Sequence, residues 1–225
     1  MILQALVLTL RLAVLVSVLL MAIGMPLGYW LASSRWRGRF IVEAIVSLPL
    51  VLPPTVLGFY VLVAIGPVSP FGRWYHAITG GSLAFTFRGL VLGSVLYSLP
   101  FAVQPIVAAF SSVDRKLLDV SATLGASRWR TFWRVILPLG FSGVVTGFVL
   151  SFAHTLGEFG VVLMIGGNIP GATQTVSILI YDQVQSLNYA SANRTALLLL
   201  VLCFALLTML HGLRRSGRWG MWGWQ

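Results

Sequence analysis

Long apolar runs leave this chain few ways to fold in water. Five stretches, 12–33, 44–65, 89–110, 139–165 and 190–210, reach about the 20 residues that a helix needs to cross a bilayer. The second of them contains no charged residue. Of the 225 residues 58% are hydrophobic and 9% charged, whereas a soluble domain carries about 25% charged. Such a surface needs lipid to cover it. The expected fold class is an all-α integral membrane protein with five transmembrane helices. Its length leaves no room for a second folded unit, so 1–225 reads as one transmembrane domain.

The remaining charges are placed like orientation signals. The net charge is +10 and Lys116 is the only lysine. The basic residues sit in short clusters between apolar runs, not along one face, which argues against a nucleic-acid partner. Arg35, Arg37 and Arg39 follow the first run. Arg115, Lys116, Arg128, Arg130 and Arg134 follow the third, and Arg214, Arg215 and Arg218 follow the fifth. With alternating crossings these eleven share one side, leaving Arg11, Arg73, Arg88 and Arg194 on the other. The excess of basic residues on cytoplasmic loops predicts an N-terminus outside and a C-terminus inside. The first run lacks a basic leader and an A-x-A site, and it reads as a retained span, not a signal peptide. The lone Cys203 lies in an apolar run and has no internal disulfide partner; it reads as a packing or lipid-facing thiol.

Two segments interrupt the simple pattern. Residues 166–188 begin with the turn-rich Gly166-Gly167-Asn168-Ile169-Pro170-Gly171 and continue with an apolar stretch too short to span. They predict an external loop and a short interfacial or re-entrant helix. Pro53-Pro54 falls in the middle of the charge-free second run. Proline removes a backbone donor and breaks helices, and membranes tolerate the freed carbonyls only beside protein or a water-lined path. A broken helix lining a pathway is expected there, with Pro53, Pro54 and Thr55 as candidate pathway residues.

The longest basic loop, 111–138, predicts a helix, a tight turn and a second helix. Ser111 and Asp114 have capping-box spacing. Val113, Leu117, Val120 and Leu124 form one apolar face. Gly125 suits a left-handed helix end, and Ser127 suits the cap of the next helix. Trp129, Phe132 and Trp133 add large apolar groups, and Pro138 opens the fourth span. An amphipathic pair of this kind either lies on lipid headgroups or docks into a groove on a cytoplasmic partner.

This loop resembles the cytoplasmic loop of ABC importer permeases, whose pattern is Glu-Ala-Ala, three residues, Gly, nine residues and Ile-x-Leu-Pro. Asp119, Val120 and Ser121 stand at the first triplet, Gly125 matches, Val135 replaces the Ile, and Leu137 and Pro138 match. Asp119 keeps only the acid of the triplet. Ser47 to Pro54, Thr155-Leu-Gly-Glu-Phe-Gly160 and Asn168 to Thr175 are similar to molybdate permeases and, more loosely, to sulfate permeases. The resemblance implies a short, five-span permease in the bacterial inner membrane. It implies a homodimer, two cytoplasmic ABC ATPase subunits that hold ATP and Mg, and a periplasmic molybdate-binding protein. Coupling to the ATPase would fall to Asp119, Val120, Ser121, Gly125, Ala126, Trp129, Val135, Leu137 and Pro138. The chain itself has no phosphate-binding G-x-x-x-x-G-K-[ST] loop, so it is expected to bind no cofactor and to be no enzyme.

Glu158 lies in the fourth run, where a carboxylate costs about 2.5–3.5 kcal/mol to insert. A bare carboxylate repels an anionic cargo, so Glu158 reads as a structural or gate-locking group. His154, one turn earlier, is its expected partner. Thr55, Ser98, Thr146, Ser151 and Thr155 are hydroxyls available to an oxyanion. Gly58, Gly93, Gly143, Gly147 and Gly157 permit close helix packing. Rival readings are a sulfate or tungstate permease of the same architecture, an intramembrane enzyme, and an ion-coupled carrier. The enzyme would have only His154 and Glu158 to work with and no metal-ligand cluster. The carrier would show internal repeats and several intramembrane charges.

Overall fold

The computed structural model describes residues 2–215, with side chains through 208. Arg218 therefore lies outside the described residues, as do the side chains of Arg214 and Arg215. The elements are α1 (Ile2–Ser33), α2 (Arg39–Val51), α3 (Pro54–Ile65), α4 (Pro70–Thr79), α5 (Phe87–Ser111), α6 (Arg115–Thr123), α7 (Arg128–Thr131), α8 (Leu137–Gly157), α9 (Gly160–Gly166), α10 (Val176–Gln185) and α11 (Tyr189–Arg215). A π-helical turn, Phe132–Ile136, joins α7 to α8.

Among the described residues four helices are long and apolar enough to cross a membrane: Ile2–Ser33, Phe87–Ser111, Arg128–Gly157 and Tyr189–Thr208. The pair α2 and α3, bent by 114°, passes the same test together and makes a fifth crossing if it is one broken span. The bend falls at Leu52 and Pro53, whose extended backbones end α2 and start α3. The expected break at Pro53-Pro54 is thus present.

α1, α5 and α8 pack on one another and form the centre. Leu12, Val16 and Leu20 of α1 meet Leu90 and Ala102 of α5 in one buried cluster. Small residues set the α5–α8 distance. A Cβ on Gly147 would sit 2.6 Å from the Ala102 carbonyl oxygen, and one on Gly143 would be 2.6 Å from that of Pro105. Such backbone approach without a side chain is how membrane helices associate closely. Around this centre α2 packs on α5, and α3 on α9. The Gln104 side-chain amide donates to Ser47 Oγ at 3.2 Å, tying α5 to α2. α11 has 11% of its apolar window buried, against 39–44% in the other three long helices, so most of its surface is left to lipid or to another subunit.

Three sequence expectations are corrected. The first span starts at Ile2, not near residue 12, because Arg11 is accommodated within the helix: its guanidinium lies 5.6 Å from the centre of the Phe87 ring. The fourth run is not continuous to residue 165; it ends at Gly157 and resumes at Gly160. Ser111 does not cap α6. It is the last residue of α5, and Asp114 is itself the cap, accepting from the Lys116 N–H at 2.9 Å.

The 166–188 segment holds a ten-residue helix, α10, capped by Thr175. Its start is anchored to α1, where the Val176 N–H donates to Thr9 Oγ1 at 2.9 Å. The preceding loop is closed by Thr173, whose hydroxyl donates to the Gly166 carbonyl at 2.7 Å. Cys203 packs beside Ala13, Phe152 and Leu156.

Candidate functional site

Two helix breaks meet at one place. The first is Leu52-Pro53 between α2 and α3, and the second is Glu158-Phe159 between α8 and α9. They abut through Gly160 and Pro54: a Cβ on Gly160 would lie 2.6 Å from the Pro54 Cβ. Gly58 continues the contact one turn further along α3, against Met164 and Val161 of α9. Pro53 and Thr55 are exposed at this corner and Pro54 is half-buried.

Glu158 caps the end of α8 with extended backbone (φ −67, ψ 137) and is 5% exposed. Neither carboxylate oxygen has a hydrogen-bond partner among the described residues, and the same is true of Ser94 Oγ on α5. The expected Glu158–His154 pair does not form. The helix ends between the two, so their spacing of four residues no longer stacks them on one face.

His154 turns instead to α5. Its Nδ1 is 2.9 Å from Ser98 Oγ, and its ring stacks on Phe101 at 4.0 Å between centroids. Ser98 Oγ is 3.1 Å from Thr155 Oγ1, and the Thr155 hydroxyl donates to the Ser151 carbonyl at 2.8 Å. A hydroxyl has one hydrogen to give. With that of Thr155 committed to the carbonyl, Ser98 donates to Thr155 and accepts from His154 Nδ1–H. The Ser98–Thr155 link was not legible in the sequence, because the partners are 57 residues apart. Thr146 and Ser151 hydroxyls turn back on their own helix carbonyls, those of Ser142 and Phe148. That is the usual fate of hydroxyls in membrane helices.

The 111–138 segment forms the predicted helix, turn and helix. Gly125 has φ +73. Its N–H donates to the Ala122 carbonyl at 2.9 Å and the Ala126 N–H to that of Ser121 at 3.0 Å, the paired bonds of a glycine helix stop. Ser127 caps α7 by accepting from the Arg130 N–H. Ser121 is buried, and its hydroxyl lies 2.8 Å from Thr131 Oγ1, clamping α6 on α7. Asp119 is exposed, as are Val120 (56%), Leu124 (80%) and Trp129 (70%). Leu117, Val120, Leu124 and Ala126 line a shallow depression of about 360 Å3. Val135 and Leu137 are half-buried and Pro138 is exposed. The π turn precedes Pro138 for a physical reason: a proline ring clashes with the carbonyl four residues back, and widening that turn relieves the clash. α7 and α8 thereby run on as one span, Arg128–Gly157. Phe132 fixes the segment to the bundle, 4.9 Å from Tyr29 and 6.0 Å from Phe110 between ring centroids.

A bundle of apolar helices with two abutting breaks and a rigid helix–turn–helix at one end defines a multi-pass membrane transport subunit. The chain belongs to the family of binding-protein-dependent transport system inner membrane components, whose model matches residues 24–215. It is 50% identical over 213 residues to the molybdenum transport system permease protein ModB of Azotobacter vinelandii, covering 95% of this chain and 94% of that one. It is 37% identical over 183 residues to the protein of the same description from Escherichia coli K12, covering 81% and 80%. The bacterial alginate ABC transporter, solved in complex with an alginate pentasaccharide-bound periplasmic protein, shares the fold with TM-score 0.79 at 20% identity, over 96% of this chain and 79% of that one. The chain is thus an inner-membrane, ABC-type permease subunit and not an enzyme.

Proposed function

We propose that this chain is the transmembrane permease of an ATP-driven importer that moves molybdate from periplasm to cytoplasm. The observation that carries the cargo is the 50% identity, over nearly the whole of both chains, to a molybdenum transport permease. In this reading two copies form the pathway, with the N-terminus outside and the C-terminus inside. Two ABC ATPase subunits, which hold ATP and Mg, bind the exposed Val120, Leu124 and Trp129 face of 111–138. A periplasmic molybdate-binding protein delivers cargo from the opposite side.

ATP binding draws the two 111–138 segments together. Because α7, the π turn and α8 are continuous, that movement is carried along α8 to its break at Glu158. There it acts on the α2–α3 corner through Gly160 and Pro54. ATP and the loaded binding protein favour different states of one bistable assembly, which is sufficient to drive alternating access. Glu158, buried beside the corner, ends α8 at the break through its extended backbone and does not bind the anion. Thr55, exposed at the corner, is a pathway contact, and the Ser98–Thr155–His154 chain between α5 and α8, with Ser98 and Thr155 buried, is the gate.

The test is uptake of radiolabelled molybdate at low external concentration, in cells lacking their own permease and supplied with this chain, its ATPase and its binding protein. Uptake that requires this chain and ATP and resists excess sulfate is expected. Uptake abolished by sulfate assigns the chain to a sulfate system. No uptake of any oxyanion, with all three proteins assembled, overturns the cargo.

A further inference from the structure

Two cavities adjoin where α1 leaves its apolar span. The first, about 720 Å3, lies between Ser33, Ser34 and Arg35 at the end of α1 and Ala122, Arg128 and Thr131 of the 111–138 segment. The second, about 480 Å3, is an apolar groove along α1 from Ala22 and Met25, roofed by Phe132 and Trp133. Tyr29, Trp30, Ser33 and Arg128 line both, so the polar cup opens into the groove. Each has the size of a small-ligand site, roughly 300–1,000 Å3.

The charges in the cup are unspent. Arg39 is 3.7 Å from Glu43 and donates to the Ser34 carbonyl. Arg35 and Arg128 have neither an ion pair nor a side-chain hydrogen bond among the described residues. Guanidinium groups take phosphate oxygens through paired N–H donors. Two of them above an apolar groove flanked by Trp30 and Trp133 match an amphiphile with an anionic head. Tryptophan is enriched at the depth where headgroups sit. The cup takes the Leu118 and Ala122 face of α6, and the neighbouring depression takes Leu117, Val120 and Leu124; Ala126 lines both, and Trp129 of the proposed ATPase face also lines the groove.

We propose that this cup and groove hold one anionic phospholipid, its phosphate between Arg35 and Arg128 and an acyl chain against Met25 and Phe132. The lipid then bridges the end of α1 to the 111–138 segment. The proposal rests on the membrane reading of the chain but not on its cargo or its ATPase.

Native mass spectrometry of the full chain in neutral detergent tests it, with phosphatidylglycerol, phosphatidylcholine and inorganic phosphate as probes. Phosphatidylcholine carries the same phosphate but adds a choline cation that Arg35 and Arg128 repel, so a preference of roughly tenfold for phosphatidylglycerol is expected. The Arg35→Gln/Arg128→Gln variant should lose that preference, while Arg73→Gln, at a distant helix, should keep it. Ala22→Trp should weaken both lipids by filling the groove. Equal binding of the two lipids to the unaltered chain overturns the proposal, and so does a preference that survives the double variant. Displacement of the lipid by millimolar inorganic phosphate would make the cup a site for a soluble oxyanion and overturn the lipid assignment. The assay contains no ATPase and no molybdate, so failure of the transport reading leaves its outcome untouched.

Discussion

At the residue scale, the glycines of α8 separate positions that set helix distance from positions that do not. A Cβ on Gly147 meets the Ala102 backbone carbonyl, which has no flexible end to move aside, while one on Gly157 meets nothing within 4 Å. Overpacking of a tight interior costs about 1–3 kcal/mol, which for a chain of this length is several degrees of melting temperature. Gly147→Val should therefore lower the thermal midpoint of the purified permease by roughly 5 °C or more, and Gly157→Ala should leave it within a degree or so. Equal midpoints for both variants would mean that α5 and α8 are not held at this distance. The sequence marks both glycines as packing residues without telling them apart, because the distinction depends on which carbonyl faces them across α5. The same limit hid the partner of His154. A spacing of four residues pointed to Glu158, but only the end of the helix at Gly157 shows why Ser98 takes its place.

At the scale of elements, legibility follows how local the signal is. The 111–138 segment was readable almost residue by residue, since caps, a glycine stop and an apolar face all act within one or two turns. The break at Pro53-Pro54 was readable for the same reason. The break after Gly157 was not, because hydropathy stays high through it. The flanking pair Gly157 and Gly160 around a carboxylate was the one available sign. Gly125 allows a sharp test. Its φ of +73 is strained for a side chain, but the space around it is open, so the cost of substitution lies in backbone conformation alone. Asparagine tolerates this region and β-branched residues do not. Gly125→Val should abolish uptake and stimulation of the partner ATPase while the chain still inserts and assembles. Gly125→Asn should retain most of both. A Val variant that transports normally would remove this turn from the coupling path.

For the whole molecule, the expected orientation rests on the charge pattern. Eleven basic residues fall on one side of the alternating crossings and four on the other, and the fold supports that alternation if α2 and α3 together make one crossing despite their 114° bend. A pair that dipped in and returned would put the cluster 115–134 opposite 35–39, whereas Arg35 and Arg128 line one cavity and Tyr29 lies 4.9 Å from Phe132 between ring centroids, so the two clusters share an end of the bundle. Side-specific labelling separates these geometries. In a Cys203→Ala background, Thr79→Cys on exposed α4 should react in intact cells with a membrane-impermeant maleimide that has reached the periplasm. Ser112→Cys and Ser34→Cys should react only after the inner membrane is opened. Labelling of Ser112→Cys but not Ser34→Cys from outside would set the two segments on opposite faces, against the cavity that Arg35 and Arg128 share, and would overturn the coupling proposal with it.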